Sequence, residues 1–267
     1  MRLHYTADGT LVILPHDDPN RIVDAMLGMG YSEEFCIALD YGADFIARLM
    51  KAGFFVMSLK LLAADSSEAV DPPGDVFDSD DAFGPGGVAD PEGLAEDGYF
   101  LVMPKLHLVR SVLFFDKLHI KNSIKRYLYR TDYPYELYFD ADFDYIVDRC
   151  IAVHGADWLT PPLIDVIKTI RHNRSQGVYP ASFALYRDGK LVAGEFGIIT
   201  GRVYTSYSGY YDENNAGTVQ LILTTRYLEE HGFAFFDLGM PLQYKTDLGA
   251  TDLSPQEFID LFRAARE

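Results

Sequence analysis

The sequence predicts an α+β fold, with a small N-terminal part followed by a larger C-terminal domain, on three observations. Of the 267 residues 48% are hydrophobic and 24% charged, the balance of a soluble globular chain able to bury one or two cores. Strand-like runs cluster between residues 182 and 211, divided by turn signals at Asp188-Gly189 and Gly201. Helical stripes with their own start and stop signals flank those runs on both sides.

The elements follow in chain order. Phe45, Ile46, Leu49 and Met50 repeat at helical spacing and stop at Gly53, a C′ glycine. Residues 64–98 combine eleven acids, no Lys or Arg, and many Gly and Pro, which reads as a mobile loop. Tyr99 to Met103 and Leu106 to Phe115 are strand-like, and a basic segment runs from Lys117 to Arg130. Thr160-Pro161 opens a helix whose stripe is Leu163, Ile164, Ile167 and Ile170, ending near Arg174. Ser182 to Arg187, Leu191 to Thr200 and Val203 to Tyr211 form a three-stranded meander. Asn214 and Asn215 cap a helix from about Ala216 to His231 that Gly232 stops, and Phe233 to Asp237 is a short buried strand. Ser254-Pro255-Gln256-Glu257 is a capping box opening a last helix with Phe258, Leu261, Phe262 and Ala265 inward. This order, helix, three antiparallel strands, helix, strand, helix, is that of an N-acetyltransferase-type (GNAT) core. The expected division is an N-terminal domain over 1–104, including loop 64–98, and a GNAT-like domain over 105–267.

Several classes are excluded. The most apolar early stretch, Phe54 to Ala64, is interrupted by Lys60, so no run reaches the roughly 18 to 20 apolar residues of a spanning helix. The first fifteen residues lack the pattern of a secretory signal, and a cytoplasmic location is expected. Cys36 and Cys150 form no C-x-x-C pair, against a disulfide framework or a zinc site, and both read as buried thiols. The seven histidines show no metal-ligand spacing, so no metal is assigned.

Charge is segregated. The net formal charge is −17, but the eleven acids of 64–98 supply most of it. Lys105 to Arg130 holds seven bases against Asp116 alone. Lys117, Lys121 and Lys125 recur every four residues, with Arg126 and Arg130 behind. On one helix they would form a stripe able to meet several phosphates, or simply a solvated face.

Together these residues resemble the leucyl/phenylalanyl-tRNA protein transferase family, bacterial enzymes that move an amino acid from aminoacyl-tRNA onto a protein N-terminus. Ile46 to Phe55 is similar to the family's helix ending in G-[IV]-F-P-W. Val109 to Ile124 resembles its A-V-L-F-x-x-x-x-H-[IV]-S-R-S-[LM] block, and Trp158-Leu159-Thr160 its W-I-T. Gly194-Glu195-Phe196-Gly197 with Gly201 resembles G-G-x-Y-G followed by G. Ser208 and Asn215-Ala216 fall where the family has E-S and N-A-S-K. Phe236-Asp237 and Leu248-Gly249-Ala250 resemble I-D-C-Q and L-G-A. The chain departs at three functional positions, with Met57 for a Trp, Tyr207 for a Glu and Gly239 for a Gln.

The resemblance implies a tRNA-dependent aminoacyltransferase acting on an acceptor N-terminus, of Leu or Phe class, with Lys or Arg leading the acceptor, and with no cofactor. Asp237, closing an apolar strand, takes the place of the family's catalytic Asp, where burial would suit it to relay a proton; alternatively it caps a strand end. Gln243 is the nearby amide that could stand in for the missing Gln. Trp158 falls where the family stacks the terminal adenosine, or it anchors a helix. Tyr207, Ser208, Asn215, Gly239 and Met57 are the other substrate-binding positions, and Trp158 and Asp237 are expected to face one cleft. Alternation along that strand puts Tyr204, Ser208 and Tyr210 on one face and Tyr207 and Tyr211 on the other unless a bulge intervenes at Ser208-Gly209. Glu213 to Thr218 lacks the glycine spacing of a pyrophosphate loop, which disfavours coenzyme A. A different donor or acceptor, or a non-catalytic relative, remains open.

Overall fold

The computed structural model describes residues 3–61, 99–129 and 135–267; the acidic segment 64–98 and Arg130 lie outside them. The described residues group into two units, one within Met1–Leu106 and Ala156–Ile170, the other within His107–Gly155 and Arg171–Glu267. The stretch 156–170 groups with the first unit. The reason is local bonding: the Ser58 N–H donates to the Trp158 carbonyl at 3.0 Å and the Thr160 hydroxyl to Ser58 Oγ at 2.7 Å.

In the first unit, β1 (His4–Tyr5) pairs antiparallel with β2 (Leu11–Val12). Helix α1 (Pro19–Met29) starts where the Asp18 side chain accepts the Asn20 N–H, with Pro19 in the first turn. Helix α2 (Ala43–Ala52) buries Phe45, Ile46, Leu49 and Met50 and ends at Gly53, whose φ of 104° only glycine takes readily. β3 (Phe55–Leu61) pairs antiparallel with β4 (Tyr99–Lys105). Alternation buries Val56 and Ser58 and leaves Phe55 and Met57 half-buried on the other face.

The chain continues with β5 (Arg110–Leu113), α3 (Asn122–Leu128), β6 (Tyr135–Phe139), α4 (Phe143–His154) and α5 (Pro161–Asn173). β7 (Val178–Arg187), β8 (Lys190–Thr200) and β9 (Val203–Tyr211) form the expected meander. Asp188 and Gly189, both at positive φ (57° and 70°), make its first tight turn. Then come α6 (Ala216–Glu230), β10 (Phe235–Gly239), α7 (Gln243–Asp247), β11 (Thr251–Leu253) and α8 (Pro255–Ala265), the last opened by the Ser254/Glu257 capping box. Seven strands form one mixed sheet in the order β11-β5-β10-β9-β8-β7-β6, antiparallel except for the β9–β10 pair.

Side chains from β8 alternate between two helices. Phe196 meets Phe143 of α4 edge-on, and Gly194 admits the α4 Ile146 side chain where a Cβ would collide. Ala193 packs in the cluster built on Ala216, Val219 and Ile222 of α6, and Glu195 points to the same side.

Three expectations are corrected. The strand expected over Leu106 to Phe115 is only Arg110–Leu113, because Leu108 and Val109 leave the ladder and are exposed. The basic segment is not one helix. Lys117 ends a 3₁₀ turn, Lys121 precedes α3 and only Lys125 and Arg126 lie within it, so Lys117, Lys121 and Lys125 share no stripe. The bulge falls one residue before the expected place: Phe196 faces Ser208 and Gly197 faces Ser206, which leaves Tyr207 as the extra residue. Tyr204, Tyr207 and Tyr210 are thereby all buried, while Tyr211 is exposed.

Gly249, at φ 96°, lies so close to the carbonyl oxygen of Lys117 that a Cβ could not fit. Gly249→Ala is expected to cost at least about 2 kcal/mol, read from urea unfolding followed by circular dichroism.

Candidate active site

The one parallel pair in the sheet makes the opening. β10 runs alongside β9 only through Phe235–Val203, Phe236–Tyr204 and Asp237–Thr205. Beyond that level β9 bulges at Tyr207, while β10 stays with β5 through Gly239–Ser111. The strands fork there, and ionisable side chains gather about the fork.

Asp237 has no exposed surface, as its place at the end of an apolar strand predicts. The Arg110 guanidinium grips it with two bonds, Nε to Oδ1 at 2.7 Å and Nη2 to Oδ2 at 2.6 Å. The Thr205 hydroxyl donates to Oδ2 at 2.8 Å and the Gly239 N–H to Oδ1 at 3.0 Å. Arg110 in turn lies 2.6 Å from His107 Nδ1 and sits over the Phe258 ring. Four donors therefore fill the carboxylate and leave neither oxygen without a partner. In the sequence Arg110 stands out only as one of seven bases between Lys105 and Arg130. Its signal is a charged residue between apolar ones in Val109-Arg110-Ser111-Val112-Leu113, which a buried strand tolerates only with a partner.

The meander holds a second buried carboxylate. Glu195, in the centre of β8, is 2% exposed. Burial pushes its carboxyl up to about 7, against the opposing influence of Gln220, Ser206, Lys245 and Thr224. Its Oε2 accepts from the Ser206 hydroxyl at 2.9 Å, and its Oε1 has no donor among the described residues. Lys245 in α7 is also buried. Its ammonium donates to the carbonyls of Leu238 (2.5 Å) and Met240 (2.8 Å), and burial draws it down to about 8, partly offset by Asp237. The signal for Glu195 is a carboxylate among Ala193, Gly194, Phe196 and Ile198 in a run too apolar to be half-solvated.

Gln243 does not reach toward Asp237: standing first in α7, it donates to Asp247 four residues on, at 3.0 Å. Gly239, at φ 74°, contributes its N–H to Asp237. The Tyr207 ring packs against Phe196, with centroids 6.1 Å apart. Ser208 meets the buried Cys150 thiol, which burial raises to about 12. Asn215 precedes α6 in the left-handed region, and its side chain makes no cap bond. Trp158 and Met57 belong to the first unit, where the indole packs at 5.9 Å against Phe55, a half-buried neighbour of Met57 on the same face of β3. Lys121 pairs with Asp247 at 2.5 Å and Lys117 with Asp116 at 3.6 Å, and the Arg126 guanidinium lies over Tyr127. Among the described residues no group of His, Cys, Asp and Glu could hold a metal, and no helix is long and apolar enough to cross a membrane.

The profile of the family described as Leucyl/phenylalanyl-tRNA protein transferase matches residues 112–263, from β5 into α8. The chain belongs to this family. The leucyl/phenylalanyl-tRNA–protein transferase of Pseudomonas entomophila (strain L48) is 30% identical over 154 residues, 57% of this chain and 66% of that protein. That of Pseudomonas aeruginosa PAO1 is 30% identical over 161 residues, 59% and 69%. The chain thus spans about two thirds of these relatives' length, just under it for the first. The matched range holds Trp158, Glu195, Asp237 and Lys245 but neither Met57 nor the resembling block Ile46 to Phe55. The structure of L-PGS from Bacillus licheniformis is similar at a TM-score of 0.38 and 12% identity, over 100% of this chain and 89% of that one, a likeness too loose to carry an argument.

Two variants probe the two carboxylates. Asp237→Asn leaves Arg110 buried without its counter-charge and is expected to cost about 3–5 kcal/mol, measured by chemical unfolding. Glu195 works in the other direction. Its folded pKa, about 7, lies above the ordinary 4.5, so its contribution is intact below 4.5 and lost as pH rises through 7. Glu195→Gln should match the native chain in stability at about pH 5 and exceed it by roughly a few kcal/mol at about pH 8, seen in unfolding curves across that range.

Proposed function

We propose that this chain transfers an aminoacyl group of Leu or Phe class from a charged tRNA to the N-terminal amine of an acceptor protein beginning with Lys or Arg. The observation that carries the reading is the family match over residues 112–263, a range that holds Asp237, Glu195 and Lys245. The parallel β9–β10 pair within an otherwise antiparallel sheet supports a GNAT-like core for residues 105–267, with the smaller domain before it. The cytoplasm, where charged tRNA resides, is the place of action.

The donor ester is already activated, so the chemistry needs no cofactor. A neutral amine attacks the ester carbonyl, the C–N bond forms and the C–O bond to the ribose breaks. The protein must orient both reactants, keep the amine neutral and stabilise the oxyanion. Asp237, filled by Arg110 and Thr205, fixes the Gly239 N–H and the mouth of the fork. Lys245 supplies a cation close to that mouth. Tyr207, Ser208 and Asn215 are the pocket residues of this reading. Trp158 offers a stacking face for the terminal adenosine, worth about 1–3 kcal/mol and indifferent to sequence, with Phe55 and Met57 beside it. Lys117, Lys121, Lys125, Arg126 and Arg130 meet tRNA phosphates, Lys121 after giving up Asp247. A different donor or acceptor is the second reading, favoured by the neutral side chain of Tyr207 and the absence of one at Gly239.

The test is transfer of labelled Leu or Phe from charged tRNA to a peptide with N-terminal Arg. Transfer is expected; its absence where a relative works in parallel would remove the assignment, and transfer of another amino acid would select the second reading. The double variant Lys125→Glu, Arg126→Glu should raise KM for tRNA at least about tenfold and flatten the log-affinity against log-salt slope by about 2.

A further inference from the structure

Buried polar atoms without a hydrogen-bond partner are uncommon, because leaving one unsatisfied costs free energy that a ligand can recover. Glu195 Oε1 is such an atom in a side chain that is 98% buried, on the 2% exposure of the residue. The other oxygen is pinned by the Ser206 hydroxyl. Gln220 and Thr224 of α6 lie close enough to hold the carboxyl down by side-chain hydrogen bonding, yet no facing group comes within hydrogen-bond reach of Oε1. From α6, the Gln220 amide donates to Thr224 Oγ1 at 2.8 Å. From α7, Lys245 is committed to two carbonyls and Tyr244 is half exposed at the rim. From β9 comes the buried Tyr204 phenol, whose hydroxyl also lacks a hydrogen-bond partner among the described residues, and from α4 the buried Cys150 thiol, which meets Ser208. Directly across the ladder stands Gly209, exposed and without a side chain, where a Cβ would press on that of Glu195 at 3.1 Å.

We propose that Glu195 is an amine-binding residue, its Oε1 receiving a primary ammonium group of a substrate that enters at the fork. The chemistry of the unpartnered oxygen selects that class. An acceptor-only oxygen calls for a donor, and a negative charge in an apolar setting calls for a positive one. A guanidinium would want both oxygens, and Ser206 holds the second. A metal ion would want further ligands, which the described residues do not offer. This inference rests on the aminoacyl-transfer reading and sharpens it, for that reaction brings two primary amines, the α-amine of the aminoacyl group and the N-terminus of the acceptor. If the guest is the acceptor, Glu195 takes one proton from its ammonium. The freed lone pair then forms the C–N bond, the ester C–O bond breaks, the amine's second proton ends on the ribose oxygen, and Glu195 returns its proton to solvent. A carboxyl that burial holds at about 7 is matched to an N-terminal amine, whose ordinary pKa is about 7.7–8.0.

The experiment is calorimetric titration of the full chain with two pairs of probes. One pair is puromycin and its N-acetyl derivative; the other is an Arg-initiated peptide with a free or acetylated N-terminus. Expected is at least a tenfold preference for the free amine in one pair, which names the source. Glu195→Gln should abolish that preference while leaving the acetylated probe's affinity unchanged. Ser206→Ala, which keeps the charge but frees Oε2, should reduce the preference and serves if the Gln variant fails to fold by circular dichroism. The idea is overturned if the native chain shows no preference in either pair, if it binds neither pair, or if a folded Glu195→Gln or, failing that, Ser206→Ala variant keeps the preference in full. A native chain that prefers free amines yet transfers nothing would instead remove the transfer reading and leave this one standing.

Discussion

The buried pair of Arg110 and Asp237 is the interaction on which the second unit depends. It links β5 to β10, two of the three strands beyond β9, and fills both members at once: guanidinium to carboxylate in two bonds, hydroxyl and backbone N–H to what remains, a phenyl ring beneath the cation. Taking two such charges from water is costly, and only near-complete pairing offsets the cost. The return is positional. The last strand residues before the fork are tied to β5 and β9 through Asp237, and the turn into α7 starts from that anchored point.

Against that fixed point the other ionisable groups at the fork are under-satisfied. Burial raises the Glu195 carboxyl and lowers the Lys245 ammonium, so both are drawn toward neutrality in the same pH range. A packed sheet gains nothing from such groups in place of apolar ones. Two such mutually influencing buried groups are the pattern expected where function is kept at the expense of stability.

Much of the fold was legible because its signals are local. Gly53, the Asp188-Gly189 turn and the Ser254 capping box each act within a few residues, and each falls where the sequence places it. Asp237 was legible for the same reason, as a carboxylate closing an apolar strand. Its partner was not, since 127 residues separate Arg110 from Asp237 and nothing in spacing reveals an antiparallel neighbour so distant. Glu195 was read as a letter in a glycine-bearing block, and its meaning appears only when Ser206, Gln220 and Lys245 are brought around it by three different elements. The basic run misled because recurrence every four residues implies a stripe only on an unbroken helix, and the chain turns between Lys117 and Asn122.

The single extra residue in β9 has a consequence for how that strand is shared. Upstream of Tyr207 the even positions look toward α6, where Ser206 reaches Glu195; downstream they look toward α4, where Ser208 meets Cys150. Two serines separated by one tyrosine thus address opposite layers of the protein. Inserting one residue reverses the parity of everything after it, so one strand carries two independent inward alphabets, and the switch between them coincides with the point where the sheet parts.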